Sequence, residues 1–276
     1  MQKENYKHKA KKSLGQNFLK SESALRKIIE VGEMRQNDVI LEIGPGKGKL
    51  TERLLENSEH VIAIEKDNEL FEFLKEKFSA QIKNGSLVLI HDNILNFNAS
   101  AYGLAPSAYK IIANIPYNIT GAILKKFLTA DRQPERMVLL VQKEVAERIV
   151  ARDGKESILS ISVKAYGEPK MVMKVPARYF SPAPKVDSAV IAINNISRKN
   201  FTSPQPSPYK GEGGNINEQR FWEIVRLGFA HKRKTLSNNL KSLGFAGNPA
   251  FDSFAGERAE DLTLKQWITL CKIWYN

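Results

Sequence analysis

The sequence predicts an α/β protein: a mostly parallel, doubly covered sheet followed by a small all-helical domain. Three observations carry this. Short apolar runs, several rich in Ile and Val, recur at 39–43, 61–64, 87–90, 110–112, 137–141, 171–175 and 189–193, with helical stretches between the first of them. Strands alternating with helices build parallel sheets with helices on both faces. The last two runs lie close together around Pro176, Pro182 and Pro184, which suits a loop-linked antiparallel pair at one sheet edge. Beyond residue 194 the strand signals stop and a helical period takes over.

The elements follow in order. Residues 1–20 hold six Lys and one Glu, a basic arm leading into a segment of small and polar residues. The strand at 39–43 runs into Gly44, Gly46 and Gly48 and then a helix at 50–55. A helix at 69–78 follows the second strand, with Leu70, Phe73, Leu74 and Lys77 at helical spacing. These and the later strands to residue 194 make the sheet domain, 21–194. Residues 195–217, carrying Pro204, Pro206, Pro208, Gly211, Gly213 and Gly214, read as a flexible linker or an inserted loop. Residues 218–276 form the helical domain. Phe221, Ile224, Val225 and Leu227 open its pattern, Leu236, Leu240 and Leu243 continue it over 234–243, and Leu264, Trp267, Ile268, Cys271 and Trp274 close it.

Composition excludes several classes. With 42% apolar residues the chain can build a core, and no run approaches the roughly 18–20 apolar residues of a membrane span. The N-terminal lysines have no apolar stretch behind them, unlike a secretory signal, and no Arg or apolar helical face, unlike a mitochondrial presequence. The single Cys271 points to a reducing compartment, so the expected location is the cytoplasm. The expected state is a monomer. Net charge is +12, made of +5 in residues 1–20, +2 in 21–194 and +5 in 195–276. Basic ends around a near-neutral middle fit a chain whose ends grip a polyanion, although surface lysines kept for solubility give the same total.

The strongest local signal is Glu42-Ile43-Gly44-Pro45-Gly46-Lys47-Gly48. A phosphate-binding loop would need G-x-x-x-x-G-K-[ST], and a dinucleotide fingerprint would need Gly at position 49, which is Lys. The pattern G-x-G-x-G after Glu42 instead resembles motif I of S-adenosylmethionine methyltransferases, which implies a Rossmann-like class I methyltransferase sheet. Glu65 ends the second strand, placed to accept hydrogen bonds from ribose hydroxyls, and Asp92 ends the third, placed to accept one from an adenine amine.

The fourth strand ends in Asn114-Ile115-Pro116-Tyr117, similar to the N/D-P-P-Y/F motif of methyltransferases that act on base amines. An exocyclic adenine amine is a poor nucleophile because its lone pair is delocalised into the ring. Accepting its two N–H bonds at the Asn114 side-chain oxygen and the Ile115 carbonyl would aim that lone pair, with no general base and no metal. Pro116 stiffens the turn, and Tyr117 offers a face for the extruded base.

Taken together, residues 9–276 apart from the linker resemble the ribosomal RNA adenine dimethyltransferases. The resemblance rests on residues 13–19 (Ser-Leu-Gly-Gln-Asn-Phe-Leu), the glycine motif, residues 114–120, residues 180–190 and Arg233-Lys234-Thr235-Leu236. It implies S-adenosyl-L-methionine as cofactor, held by Asn17, Leu19, Gly44, Gly46, Glu65, Asp92 and Asn114. It implies catalysis by Asn114, Ile115, Pro116 and Tyr117, with Phe180 sandwiching the target adenine against Tyr117; Phe180 as ordinary core is the competing reading. The implied partner is small-subunit ribosomal RNA or a pre-30S particle, dimethylated at N6 of two adjacent adenines near its 3′ end. A large-subunit methyltransferase of the macrolide-resistance kind, or a catalytically silent assembly factor, are the alternatives. Three features depart from the pattern: His91 stands where Gly is common, Gly121 where a small residue and then Pro are usual, and the Ser/Pro/Gly-rich segment around 202–214 is longer than the usual connection. His231 with Lys232, Arg233 and Lys234 sits between helices, so some of these project outward as candidate RNA contacts. A solvated helix end is the plainer alternative.

Overall fold

The computed structural model describes residues 9–104, 108–201, 216–245 and 248–275. The chain divides into two units, Met1–Ala146 with Glu168–Ile196, and Glu147–Gly167 with Ser197–Asn276. The elements run β1 (Phe18–Leu19), α1 (Glu22–Gly32), β2 (Val39–Ile43), α2 (Lys49–Leu55), β3 (His60–Glu65), α3 (Asn68–Lys77), α4 (Ser79–Lys83), β4 (Leu87–His91), β5 (Tyr109–Asn114), α5 (Thr120–Leu128) and β6 (Arg136–Gln142). Then come α6 (Lys143–Val150), α7 (Ile158–Lys164), β7 (Glu168–Val175), β8 (Phe180–Ser181), β9 (Ser188–Asn194), α8 (Glu218–Gly228), α9 (Leu236–Asn239), α10 (Pro249–Ala255) and α11 (Leu264–Tyr275). Among the described residues no helix is long and apolar enough to cross a membrane.

In the first unit seven strands form one sheet in the order β4-β3-β2-β5-β6-β9-β7. The first five are parallel, and β9 runs antiparallel to both its neighbours. The expected antiparallel pair is therefore at one side of the sheet, but the reversed strand β9 lies one place in and β7 forms the edge. Strands such as β2 and β6 are buried nearly end to end, which is why they read as continuous apolar runs. Lys110 is the exception within β5. Its ammonium is buried and donates to Asp38 at 2.7 Å and to the Glu33 carbonyl at 2.6 Å, so the charge is paired. Between β2 and β5 the connections turn from one side of the sheet to the other, the switch point where open α/β sheets bind ligands at the strands' carboxyl ends.

Residues 147–167 belong to the helical unit, whereas the sequence reading placed them in the sheet domain. The reason is Tyr166, whose hydroxyl accepts from Trp222 Nε1 at 3.1 Å and donates to Glu218, while its ring packs against Phe201. The chain passes between the units at Ile196 and Ser197, so the expected linker at 195–217 lies almost wholly inside the second unit. Most of that stretch is outside the described residues; at its ends Phe201 and Ile216 are both buried and form a parallel bridge. The helix expected over 234–243 is instead α9 followed by a separate 3-10 turn at Lys241–Leu243. Trp267 is fully buried in this unit and stacks on Phe229. It packs directly over Gly228, where any side chain would collide with the indole.

Candidate active site

A cavity of about 470 Å³ opens at the carboxyl ends of β2, β3, β4 and β5, wholly within the first unit. Its floor is the glycine turn. Gly46 has φ +60, and a Cβ there would press on the Phe18 ring, so only glycine allows both the backbone and the close approach. Gly48 has φ +74 at the start of α2. The Glu65 carboxylate, 5% exposed, accepts the Gly46 N–H at 3.1 Å and the Asp67 N–H at 2.9 Å. Burial raises its pKa against those two bonds. Behind it, Glu42 is buried and accepts from Thr51 Oγ1 at 2.7 Å, and burial pushes its pKa up to about 8. Asp92 follows β4 and lines the cavity, with one carboxylate oxygen accepting the Asn93 N–H at 2.6 Å.

Residues 13–20 line one wall of this cavity as a strap, which residues 11 and 12 lead into. Phe18 and Leu19 pair antiparallel with Ser181 and Phe180 as the ribbon β1–β8. Asn114, also on the lining, ends β5, and its side-chain Nδ2 donates to the Asn17 carbonyl at 3.0 Å. That bond decides which way round the amide sits. Among the described residues Oδ1 carries no hydrogen bond. Ile115, Pro116 and Tyr117 continue the wall. The Tyr117 hydroxyl is 2.5 Å from Ser188 Oγ at the start of β9, which ties the ring to the sheet. The cavity thus joins a glycine floor, two acidic strand ends and an oriented amide.

The same combination matches a family model described as Ribosomal RNA adenine dimethylase, over residues 7–275. The chain belongs to the ribosomal RNA adenine dimethylase family. Relatives named Ribosomal RNA small subunit methyltransferase A are 39% identical in Dehalococcoides mccartyi, over 97% of this chain and 89% of theirs. The protein of that name from Fusobacterium nucleatum is 37% identical over 96% of this chain and 97% of its own. Among solved structures, a dimethyladenosine transferase from Plasmodium falciparum superposes with TM-score 0.74 at 25% identity, over 92% of this chain and 95% of that one. The 23S rRNA methyltransferase ErmE gives 0.73 at 25% identity, over 94% and 100%.

Against the pattern expected of a dimethylase, the structure gathers Asn17, Leu19, Gly44, Gly46, Glu65, Asp92, Asn114, Ile115, Pro116 and Tyr117 around the one cavity. Phe180 is the exception. It is 2% exposed, packs in the hydrophobic core with Leu19 and Leu25, and is not among the residues that line the cavity. His91 stacks on Phe71 and does not line the cavity, so that departure from the family pattern leaves the wall unchanged. Gly121 faces open space on the second residue of α5.

In the helical unit Lys232, Arg233 and Lys234 are all exposed on the turn between α8 and α9. Sequence reasoning missed what shapes that turn. The nearly buried Asn239 donates to the carbonyls of Gly228 at 2.6 Å and His231 at 3.1 Å, so the basic side chains project from a pinned backbone. It also missed Ser188 and Asp67. Of the N-terminal lysines, Lys11 pairs with Asp67 and Glu69 at 2.9 and 3.0 Å; the rest of the expected basic arm, residues 1–8, lies outside the described residues.

Proposed function

We propose that this chain transfers methyl groups from S-adenosylmethionine to N6 of two adjacent adenines near the 3′ end of small-subunit ribosomal RNA. The observation that carries the reading is the Asn114 amide, held by its Nδ2 on the Asn17 carbonyl so that Oδ1 is left to accept. A bare adenine amine needs two acceptors to direct its lone pair, and the Asn114 Oδ1 and Ile115 carbonyl are the pair available. Tyr117, tethered by Ser188, supplies the face for a base drawn out of its stack.

The cavity fits the cofactor in kind. Its volume suits a nucleoside-sized ligand, and its polar lining includes Glu65 and Asp92 on adjacent strand ends. Glu65 would take the ribose hydroxyls on the lone pairs that Gly46 and Asp67 leave open, Asp92 the adenine amine, and Asn17, Leu19, Gly44 and Gly46 the remainder. When bound, S-adenosylmethionine supplies an electrophilic methyl group on sulfur. The residues around it orient the amine, exclude water and leave the N6 proton to pass to solvent, so no base is needed. Lys232, Arg233 and Lys234 would hold RNA phosphates.

Relatives named for the small ribosomal subunit support this substrate. The likeness to ErmE keeps a large-subunit target as the second reading. The deciding experiment offers labelled S-adenosylmethionine with under-methylated small and large subunits, then analyses the nucleosides. N6,N6-dimethyladenosine confined to small-subunit RNA is the expected result. Label in the large subunit instead would overturn the substrate, and bound cofactor with no label in either would leave only a binding protein.

A further inference from the structure

We infer that Asp67 is a positioning residue, which latches the N-terminal strap so that the Asn17 carbonyl can orient the Asn114 amide. The inference rests on the amine-orienting role proposed for Asn114. Asp67 is 2% exposed and sits just past β3, as the N-cap of α3. Its Oδ1 accepts from Lys11 Nζ at 2.9 Å and from the Glu69 N–H at 3.0 Å, and its Oδ2 accepts from Gln16 Nε2 at 2.8 Å. Gln16 Oε1 in turn accepts the Lys11 N–H at 2.7 Å, so residues 11 and 16 are closed into a small loop on one carboxylate.

The next residue along the strap is Asn17, whose carbonyl holds Asn114. Beyond it the strap is fixed by the β1–β8 ribbon and by the Lys20 N–H on the Tyr179 carbonyl at 2.8 Å. Asn17 is thus held from both sides, and Asp67 is the anchor on the side away from the ribbon. The same residue's backbone N–H supports Glu65, so one short segment braces both the expected ribose carboxylate and the strap. A carboxylate this buried is tolerable only when paired, and two of its donors, Lys11 and Gln16, belong to the strap and its lead-in. Burial raises the Asp67 pKa, yet the Lys11 and Gln16 hydrogen bonds bring it below the ordinary value. Undocking the strap would take those two donors from the charge while the Glu69 N–H stays, which makes docking favourable for a reason separate from strap packing.

Asp67→Asn and Lys11→Met, singly and combined, test the latch. Asparagine keeps the helix cap and the backbone bond to Glu65, and methionine keeps the stem of Lys11. Hydrogen–deuterium exchange at the Lys11 and Leu14 amides, bonded to Gln16 Oε1 and to the Lys11 carbonyl, reads release of the latch, and each variant is expected to exchange about tenfold faster there with the sheet amides unchanged. At saturating cofactor and RNA, kcat is expected to fall by about tenfold or more in each, since small misplacements of a reacting group slow chemistry steeply. The double variant should be no worse than the poorer single, because both break one latch. Unchanged exchange, fast exchange with full kcat, a loss confined to KM, or fully additive losses would each overturn the inference. Exchange judges the latch without reference to chemistry, whereas normal turnover in Asn114→Ala would remove only the amine-orienting reading.

Discussion

The Nδ2 of Asn114 donates to the carbonyl of Asn17 at 3.0 Å, joining the end of a central strand to a segment 97 residues earlier in the chain. A terminal amide held by its nitrogen presents its oxygen elsewhere, so the bond defines which atom can meet a substrate amine. Asn114→Ala removes both functions. It is expected to lower kcat by about 10²–10³, the scale for losing one preorganised hydrogen-bonding group, while the circular-dichroism melt stays within a few degrees. Near-normal turnover would remove the proposed mechanism.

Ser188 and Tyr117 form a pair whose two members should not behave alike. Ser188→Ala leaves the Tyr117 hydroxyl buried without its partner, a loss of about 1–3 kcal/mol, and frees the ring, so turnover should drop as well. Adding Tyr117→Phe removes the stranded hydroxyl and should restore most of the stability lost. Chemical denaturation of the two single variants and the double variant checks this. Additive losses would show that the hydroxyl pair is not the linkage.

Glu42 predicts an alkaline loss of stability. Burial lifts its pKa from the ordinary 4.5 to about 8, with the Thr51 hydroxyl and Lys77 opposing and the Glu65 charge adding to the rise. Across that window the folded chain keeps a proton that the unfolded chain has given up, so the stabilisation is complete below the lower value and is lost as pH rises towards the upper one. Glu42→Gln should therefore match the wild type near pH 4 and exceed it near pH 9, by up to about 5 kcal/mol. Urea unfolding at the two pH values measures the difference, and a gap independent of pH would contradict the buried-acid reading.

The basic turn at Lys232, Arg233 and Lys234 makes an electrostatic prediction. Replacing all three by Gln should weaken RNA binding and flatten the slope of log K against log salt by about 2, if each side chain meets a phosphate. Cofactor affinity should not move. An unaltered salt slope would place the grip elsewhere on the chain. Asn239→Ala should loosen the turn and reproduce part of the loss with every positive charge still present.

The sheet strands were legible because parallel strands buried on both faces have little choice but to be apolar, as 39–43 and 137–141 show. The turn at Gly44 and the strand end at Asn114 were legible because close backbone approach and amine chemistry restrict residue type. Asp67 was not: in sequence it is one acid among several in a charged stretch, and only the fold brings Lys11 and Gln16 to it. Ser188 escaped for a similar reason, since a small hydroxyl carries no periodicity. Phe180 is expected from its motif to offer a stacking face, whereas here it lies in the core and off the cavity lining. The 147–167 excursion has no change of composition to betray it; Tyr166 sets its allegiance through partners far away in sequence.

The β1–β8 ribbon also has a temporal consequence. Phe18 and Leu19 leave the ribosome early, but their partners Phe180 and Ser181 follow only after β7. During vectorial synthesis the glycine turn and the strand ends around it can assemble first, while the wall formed by the strap must wait for the last hairpin of the sheet. A nascent chain of this protein therefore stays unable to enclose a small molecule until nearly the whole first unit has emerged.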